Sequence, residues 1–504
     1  MMNSRIKQDF SKLNNSLWQI KEDGNFLIYL GVIVLMGLGL RLAFLWQPIR
    51  YDEAFTYNVF ASQGVREILT NYGQPNNHIF HSLLVYFATS LLGSEPWIIR
   101  LPAFIAGILV VPVAYVTART YYNKEAALLG AAFVAVSSSL IEYSTNARGY
   151  TIICLFTLLM LVLAKYIKAE NNHAAWLLFS LTAVLGFFTI PVMLYPYGGL
   201  MGWLLVSWLA RDFYAPERAK SLKLMLLSAL AVGVFTGLLY IPVIVGSGLD
   251  KLINNQFVRP ESWSQSVGTF WVLLSAMGRH WNTDIPLLAS LIMLLGFIAS
   301  IVFNKKLSND KIPLALVLIF WCIVVMLLTR RVPPWSRVFL FLLPLYLMWS
   351  SAGIVYLLSM ISQWRKYVTA PVFGGLVLLA VIVLALNLLR TRSVYHSEQT
   401  GTLRDGQEIV SWLGKHLQAG DAVISFAPSD AILQYYLDQE HIDVELYSEH
   451  GSVRDFKRAF IITNIANQQS TEYILSKVGF LDDVDISTTQ LVQAFPSADI
   501  IEIH

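Results

Sequence analysis

Eleven stretches of this chain are apolar over most of a bilayer's thickness, and no other feature limits its fold as strongly. A membrane-crossing helix needs roughly 20 predominantly apolar residues. Residues 27–47, 99–118, 124–141, 149–168, 174–190, 192–210, 222–245, 285–303, 312–328, 336–358 and 368–389 approach or reach that length. The run 174–210 is too long for one crossing at about 1.5 Å per residue, so Pro191 and Pro196 are read as the turn that divides it. Hydrophobic residues make up 56% of the 504-residue chain and charged residues 14%, against roughly 25% charged in soluble domains. That balance excludes a water-soluble enzyme and a disordered chain. A net charge of +3 with no concentrated basic patch excludes a nucleic-acid partner. Cys154 and Cys322 both lie inside apolar runs, so neither a disulfide nor a thiol-bound metal is expected. The polar first 25 residues, with Arg5, Lys7, Lys12 and Lys21, lack the apolar core of a signal peptide and read as a cytoplasmic tail.

Residues 78–93 are apolar but short, and counting them as a crossing would invert every later loop. Basic residues decide the matter through the positive-inside rule. With 78–93 lying along the membrane, one set of loops gathers Arg119, Lys124, Lys165, Lys168, Arg211, Arg218, Lys305, Lys306, Arg365 and Lys366, among others, beside the basic tail. Loops 48–98 and 246–284, and everything after residue 390, then lie on the outer face. This divides the chain into a tail (1–25), a membrane module (26–390) and an extracytoplasmic domain (391–504). In that last part, 421–427, 443–448, 459–465 and 499–504 read as strands, and 429–439 and 470–479 as amphipathic helices. Their alternation predicts a small α/β domain with a parallel sheet. The expected fold is therefore a polytopic α-helical membrane protein of about eleven transmembrane helices with a small C-terminal α/β domain.

Polar groups collect on the outer rim. Within the helices, Arg41 is the main ionisable residue, placed near the outer end of the first span, where a long side chain can snorkel. Four segments carry chemistry. Tyr51-Asp52-Glu53 follows the first span. It serves equally as an interfacial turn with solvated acids or as a general base at the bilayer edge. In Gln74-Pro75-Asn76-Asn77-His78-Ile79-Phe80-His81, the histidines share a helix face at i and i+3. They anchor that helix, hydrogen-bond a substrate, or form a weak divalent-metal site with Asp52 or Glu53 that lacks a third fixed ligand. No cofactor is otherwise called for. Glu142 to Tyr150 brings Glu142, Arg148 and Tyr150 to the membrane edge, where an arginine either snorkels or forms a bidentate pair with phosphate. Arg330, Arg331 and Arg337 stand outside against the usual charge bias, suiting an anionic substrate or anionic headgroups.

In their order and their placement on one face, these residues resemble the GT-C superfamily of lipid-dependent glycosyltransferases. Within it, the chain is similar to the protein-mannosyltransferase-like branch, which includes the aminoarabinose transferases. The carried positions are Asp52-Glu53, Asn76-Asn77-His78, Ala147-Arg148-Gly149-Tyr150 and the stretch Arg337 to Pro344. Many relatives have His-Pro-Pro-Leu where this chain has Asn76-Asn77-His78. The resemblance implies transfer of a sugar from a polyprenyl-phosphate donor to a lipid, glycan or protein acceptor on the outer face of a membrane, taken here as the bacterial inner membrane. It implies Asp52 as general base, Glu53 as a shaping residue, Arg148, Tyr150 and Arg337 at the donor phosphate, and Glu142, His78 and His81 as substrate contacts. A lipid-linked oligosaccharide flippase or other transporter is the alternative, and an oligosaccharide ligase a second one.

Overall fold

Each apolar run becomes helix because, in lipid, a backbone must satisfy its own hydrogen bonds. A computed structural model describes residues 7–14, 19–74, 76–213, 218–254, 258–361, 369–449, 456–486 and 489–504. Arg5, Pro75, Arg365 and Lys366 lie outside the described residues. The expected spans fall on helices Asn25–Leu45, Leu101–Tyr121, Lys124–Val136 with Ser138–Ser144, Tyr150–Glu170, His173–Thr189, Leu194–Leu209, Arg218–Ser247, Leu287–Val302, Leu314–Thr329, Leu342–Ser359 and Ala370–Thr391. Among the described residues, seven helices are long and apolar enough to cross a membrane, or eight if the bent pair around Ser137 counts as one. His173–Thr189, Leu287–Val302, Leu314–Thr329 and Ile79–Leu92 are shorter apolar helices. Ile79–Leu92 has 14 residues, about 21 Å of helix against a hydrocarbon thickness of about 30 Å.

Two expectations change here. Pro191 opens the one-turn helix Pro191–Met193 that breaks the 174–210 run, whereas Pro196 sits in the first turn of Leu194–Leu209, where its missing N–H has no helical acceptor to lose. Arg41 does not snorkel. It is fully buried, donating to the carbonyls of Gly37 (3.0 Å) and Ala135 (3.1 Å) and to Ser144 Oγ (3.2 Å). The chain bends by 59° between Lys124–Val136 and Ser138–Ser144, and such a break orphans the last carbonyls of the first half. The Arg41 guanidinium satisfies one of them, that of Ala135. Arg100, also fully buried, does the same for the first helix by donating to Leu45 O at 2.7 Å.

The chain separates into two compact units: Met1–Leu45, Leu69–Leu84 and Arg100–Tyr395 form one, and Trp46–Ile68, Val85–Ile99 and His396–His504 form the other. The first is the helical unit. Its helices approach closely where side chains vanish: a Cβ on Gly353 would lie 1.8 Å from the carbonyl oxygen of Gly296, the small-residue packing common between membrane helices. At the end of Tyr150–Glu170 away from Tyr150, Lys168 Nζ lies 2.9 Å from Asp212 Oδ2 and 2.7 Å from Asp310 Oδ1. The Trp203 ring is 4.3 Å from the same ammonium. Lys168→Met leaves two buried carboxylates facing each other. It should cost about 3–5 kcal/mol, read as a lower melting temperature in detergent, and Asp310→Asn should return part of the loss.

Among the described residues, the second unit holds five strands: β1 (Asp421–Ile424), β2 (Glu445–Tyr447), β3 (Arg458–Asn464), β4 (Gln490–Ala494) and β5 (Ala498–Ile503). Their order is β2-β1-β3-β5-β4. The expected parallel sheet is only half right. β1 runs parallel to β2 and β3, but β5 is antiparallel to both β3 and β4. The turn between β4 and β5 is too short for a crossover, which forces a hairpin. Strand β4 and helix Gly406–His416 are additions to the expected elements. The β4 sequence QLVQA is a largely exposed edge without the apolar–polar alternation that would mark a strand. Around the sheet, Ile424, Ile461, Ile474, Leu475, Val478 and Ile503 make the core. This unit begins at His396 rather than 391, and it also takes 46–68 and 85–99 from the first loop.

Candidate functional site

Six of the eight candidate residues belong to the helical unit. The break at Ser137 ends one helix and starts the seven-residue helix Ser138–Ser144, which carries Glu142 and Tyr143. A bend through 145–149 then leads into Tyr150–Glu170. His78 immediately precedes helix Ile79–Leu92.

Arg148 donates through Nη1 to Asn76 O (3.0 Å) and through Nη2 to Asn76 Oδ1 (3.2 Å). The same Nη2 lies 3.1 Å from His78 Nε2. On its other side, His78 Nδ1 accepts the backbone N–H of Gly149 at 2.9 Å. An imidazole that accepts at Nδ1 carries its proton on Nε2, so an N–H of His78 and an N–H of Arg148 face each other. Burial, then the Arg148 charge, holds the His78 pKa well below the ordinary histidine range, so the ring is neutral and the site's positive charge rests on arginine. Two donors this close are an arrangement that an anionic oxygen between them relieves. His81 is fully buried, and its ring nitrogens have no hydrogen-bond partner among the described residues.

From His78 a line of rings continues to the second acid. Tyr150 meets His78 edge-on at 5.1 Å, Tyr143 meets Tyr150 at 5.4 Å, and His280 meets Tyr143 at 6.1 Å. His280 Nε2 lies 3.1 Å from Glu142 Oε2, and its Nδ1 lies 3.0 Å from Ser336 Oγ. The next residue is Arg337, buried in the turn Ser336–Phe339 with its guanidinium 4.8 Å over the Trp335 ring. Of the three arginines in that segment only Arg337 is buried; Arg330 is exposed and Arg331 half-buried.

The reading of the sequence passed over His280 and Ser336. His280 lies in the last turn of Trp263–Trp281, inside the long loop 246–284, for which no helix was expected. The available signal was an amphipathic helix ending in Arg279-His280 where a plain connection would suffice.

Asp52 and Glu53 belong to the second unit. Both are buried, in the first turn of helix Tyr51–Thr56. Glu53 Oε1 accepts the backbone N–H of Arg50 at 3.0 Å, a helix-capping contact. Among the described residues, no group of three or more His, Cys, Asp or Glu side chains is placed to hold a metal ion, and His78 already spends Nδ1 on Gly149.

Residues 76–241 match the sequence model of the dolichyl-phosphate-mannose-protein mannosyltransferase family. ArnT from Cupriavidus metallidurans, in the apo state, matches with a TM-score of 0.61 at 13% identity, covering 96% of this chain and 98% of that one. The chain has the fold of ArnT over nearly its whole length. ArnT bound to undecaprenyl phosphate matches with a TM-score of 0.60 at 12% identity, over 94% of this chain and 97% of that one. The archaeal oligosaccharyltransferase AglB from Archaeoglobus fulgidus, in complex with an inhibitory peptide and a dolichol-phosphate, gives 0.50 at 12% identity, over 91% and 71%. No curated protein sequence is a significant match. With its apolar helices, the chain is an integral membrane protein. The matched segment contains His78, His81, Glu142, Arg148 and Tyr150, whereas Asp52, Glu53, His280 and Arg337 lie outside it.

Gly149 is the tightest point of this cluster. A Cβ there would lie 2.5 Å from Thr189 Cγ2 and 3.3 Å from His78 Nδ1, and Thr189 is itself pinned by Oγ1 donating to Leu185 O at 2.8 Å. Gly149→Ala should therefore lower stability by about 1–3 kcal/mol, the usual cost of overpacking. Adding Thr189→Ser, which deletes the clashing methyl, should restore most of it. Thermal unfolding of the single and double variants measures both.

Proposed function

We propose that this GT-C chain is a glycosyltransferase that moves a sugar from a polyprenyl-phosphate-linked donor to an acceptor on the outer face of the bacterial inner membrane. The observation that carries the reading is the facing pair of donors at Arg148 Nη2 and His78 Nε2, 3.1 Å apart and buried. A polyprenyl phosphate keeps its chain in the bilayer and offers an anionic headgroup, the partner such a pair suits. When the glycosidic bond breaks, negative charge grows on the phosphate. Fixed donors aimed at that charge lower the barrier. Arg148 and Arg337 supply the charge, while Tyr150 sets the His78 ring edge-on. Glu142, held by His280, is assigned to the acceptor. Asp52 is assigned as the base that takes the acceptor's proton, so in-line displacement inverts the anomeric centre. Comparison of lipids and glycans by mass spectrometry, from cells with and without the gene, tests the reading. Loss of one glycan product with accumulation of its lipid-linked donor supports it. The same loss with the donor stranded on the cytoplasmic side, instead of exposed on the outer face, would favour a flippase.

The same reading orients the chain. Cysteines placed at Ser62 and Ser94 should both be labelled by a membrane-impermeant maleimide added outside intact inner membranes. Labelling of Ser94→Cys only from the cytoplasm would make 79–92 a crossing and overturn the assigned face.

A further inference from the structure

The helix that bears Asp52 is too short to stand alone. Tyr51–Thr56 has six residues, and an isolated helix below roughly 12–15 residues is marginal in water. Its first-turn N–H groups also need acceptors from outside the helix. The preceding residue, Arg50, has only donors on its side chain and offers no capping oxygen.

The acceptors come from the far end of the chain, within the same unit. Tyr51 N–H donates to Gly401 O at 3.0 Å, and Asp52 N–H to Thr400 O at 3.1 Å. Arg50 Nη1 donates to Ser397 O at 2.9 Å. Just past the helix, Asn58 Nδ2 donates to Ala431 O at 2.9 Å, and Tyr57 packs edge-on against Tyr435 at 5.8 Å. Gly401 has φ +72°, and a Cβ on it would lie 2.8 Å from Tyr51 Cβ and 2.7 Å from Pro428 Cβ. No other residue fits that carbonyl under the helix start without strain.

We infer that the 397–401 segment of the C-terminal domain is a positioning element for catalysis: its Thr400 and Gly401 carbonyls cap the Asp52 helix and fix the carboxylate. The inference rests on the reading of Asp52 as base and gives the C-terminal domain a part in that chemistry. The domain is then required for turnover and not for holding the lipid phosphate.

The test uses the full chain. Gly401→Ala places a Cβ in the left-handed region and against Tyr51, and Asn58→Ala removes one bond from the other end of the helix. Hydrogen–deuterium exchange in detergent reads the amides of Tyr51 and Asp52 directly. Gly401→Ala should speed their exchange about tenfold, the factor that left-handed strain corresponds to. Asn58→Ala should do so by about fivefold, the loss of one hydrogen bond. Product formed in cells, normalised to membrane-inserted protein, should fall by similar factors. Binding of undecaprenyl phosphate, the probe, should stay within about twofold of wild type. Should Gly401→Ala fail to accumulate, Asn58→Ala carries the test alone. Unchanged exchange at 51–52 overturns the cap. Faster exchange with full product, or with an equal loss of undecaprenyl phosphate binding, overturns its catalytic role. Asp52→Asn in parallel keeps the readings separable: a fully active Asp52→Asn removes the base assignment whatever the exchange shows, and unchanged exchange removes the cap whatever Asp52→Asn does.

Discussion

Asp52→Asn should lower turnover about 10²–10⁴-fold, the usual range for the loss of a general base, while folding and membrane insertion persist. Asparagine keeps the size of the side chain and some of its hydrogen bonding but cannot take a proton. The main-chain contacts that fix the residue, from its amide to Thr400 O and from Thr56 Oγ1 to its own carbonyl at 2.7 Å, do not involve the carboxylate. Binding of undecaprenyl phosphate should change far less than the rate. Glu53→Gln should be milder, since its amide oxygen can still accept the Arg50 N–H that Oε1 accepts now. The measurement is transfer from the donor lipid identified by mass spectrometry, beside a lipid-phosphate binding assay. Near-normal turnover in Asp52→Asn with an inactive Glu53→Gln moves the base to Glu53. Normal turnover in both sinks the mechanism.

Arg148→Ala should weaken undecaprenyl phosphate binding by about 2–5 kcal/mol, the cost of truncating one partner of a buried charge-assisted pair. That corresponds to roughly 30- to 4,000-fold in affinity. Arg148→Lys should recover only part, because an ammonium cannot reproduce the planar fork that reaches Asn76 O, Asn76 Oδ1 and His78 together. Equilibrium binding in detergent decides it. Wild-type affinity in Arg148→Ala would remove the residue from the phosphate site. A melting temperature matched between the Lys and Ala variants separates lost affinity from lost structure.

Much of this architecture was legible residue by residue. A run of apolar residues has one stable form in lipid, so the helices follow from hydropathy alone. Segments such as DAILQYYLDQ carry their helical period locally, and it appears as Asp430–Gln439. The cluster from Glu142 to Tyr150 was visible because its polar residues interrupt apolar runs within nine positions.

What the sequence could not contain is which distant segments meet. Glu142 and His280 are 138 positions apart and share a hydrogen bond; nothing near either residue encodes the other. Arg41 stood in an apolar helix like any snorkelling arginine until the bend at Ser137 freed the Ala135 carbonyl that it satisfies. The direction of β5 depended on a short hairpin with an edge strand that lacks regular apolar–polar alternation. The Asp52 helix takes its cap from Thr400 and Gly401, residues with no pattern to mark them. Local hydropathy and period determined the elements and the candidate residues, because burying an apolar face is a short-range demand. The pairing of donors with acceptors across the chain was decided by tertiary structure, because an orphaned backbone group can be satisfied by any partner that packing brings within reach.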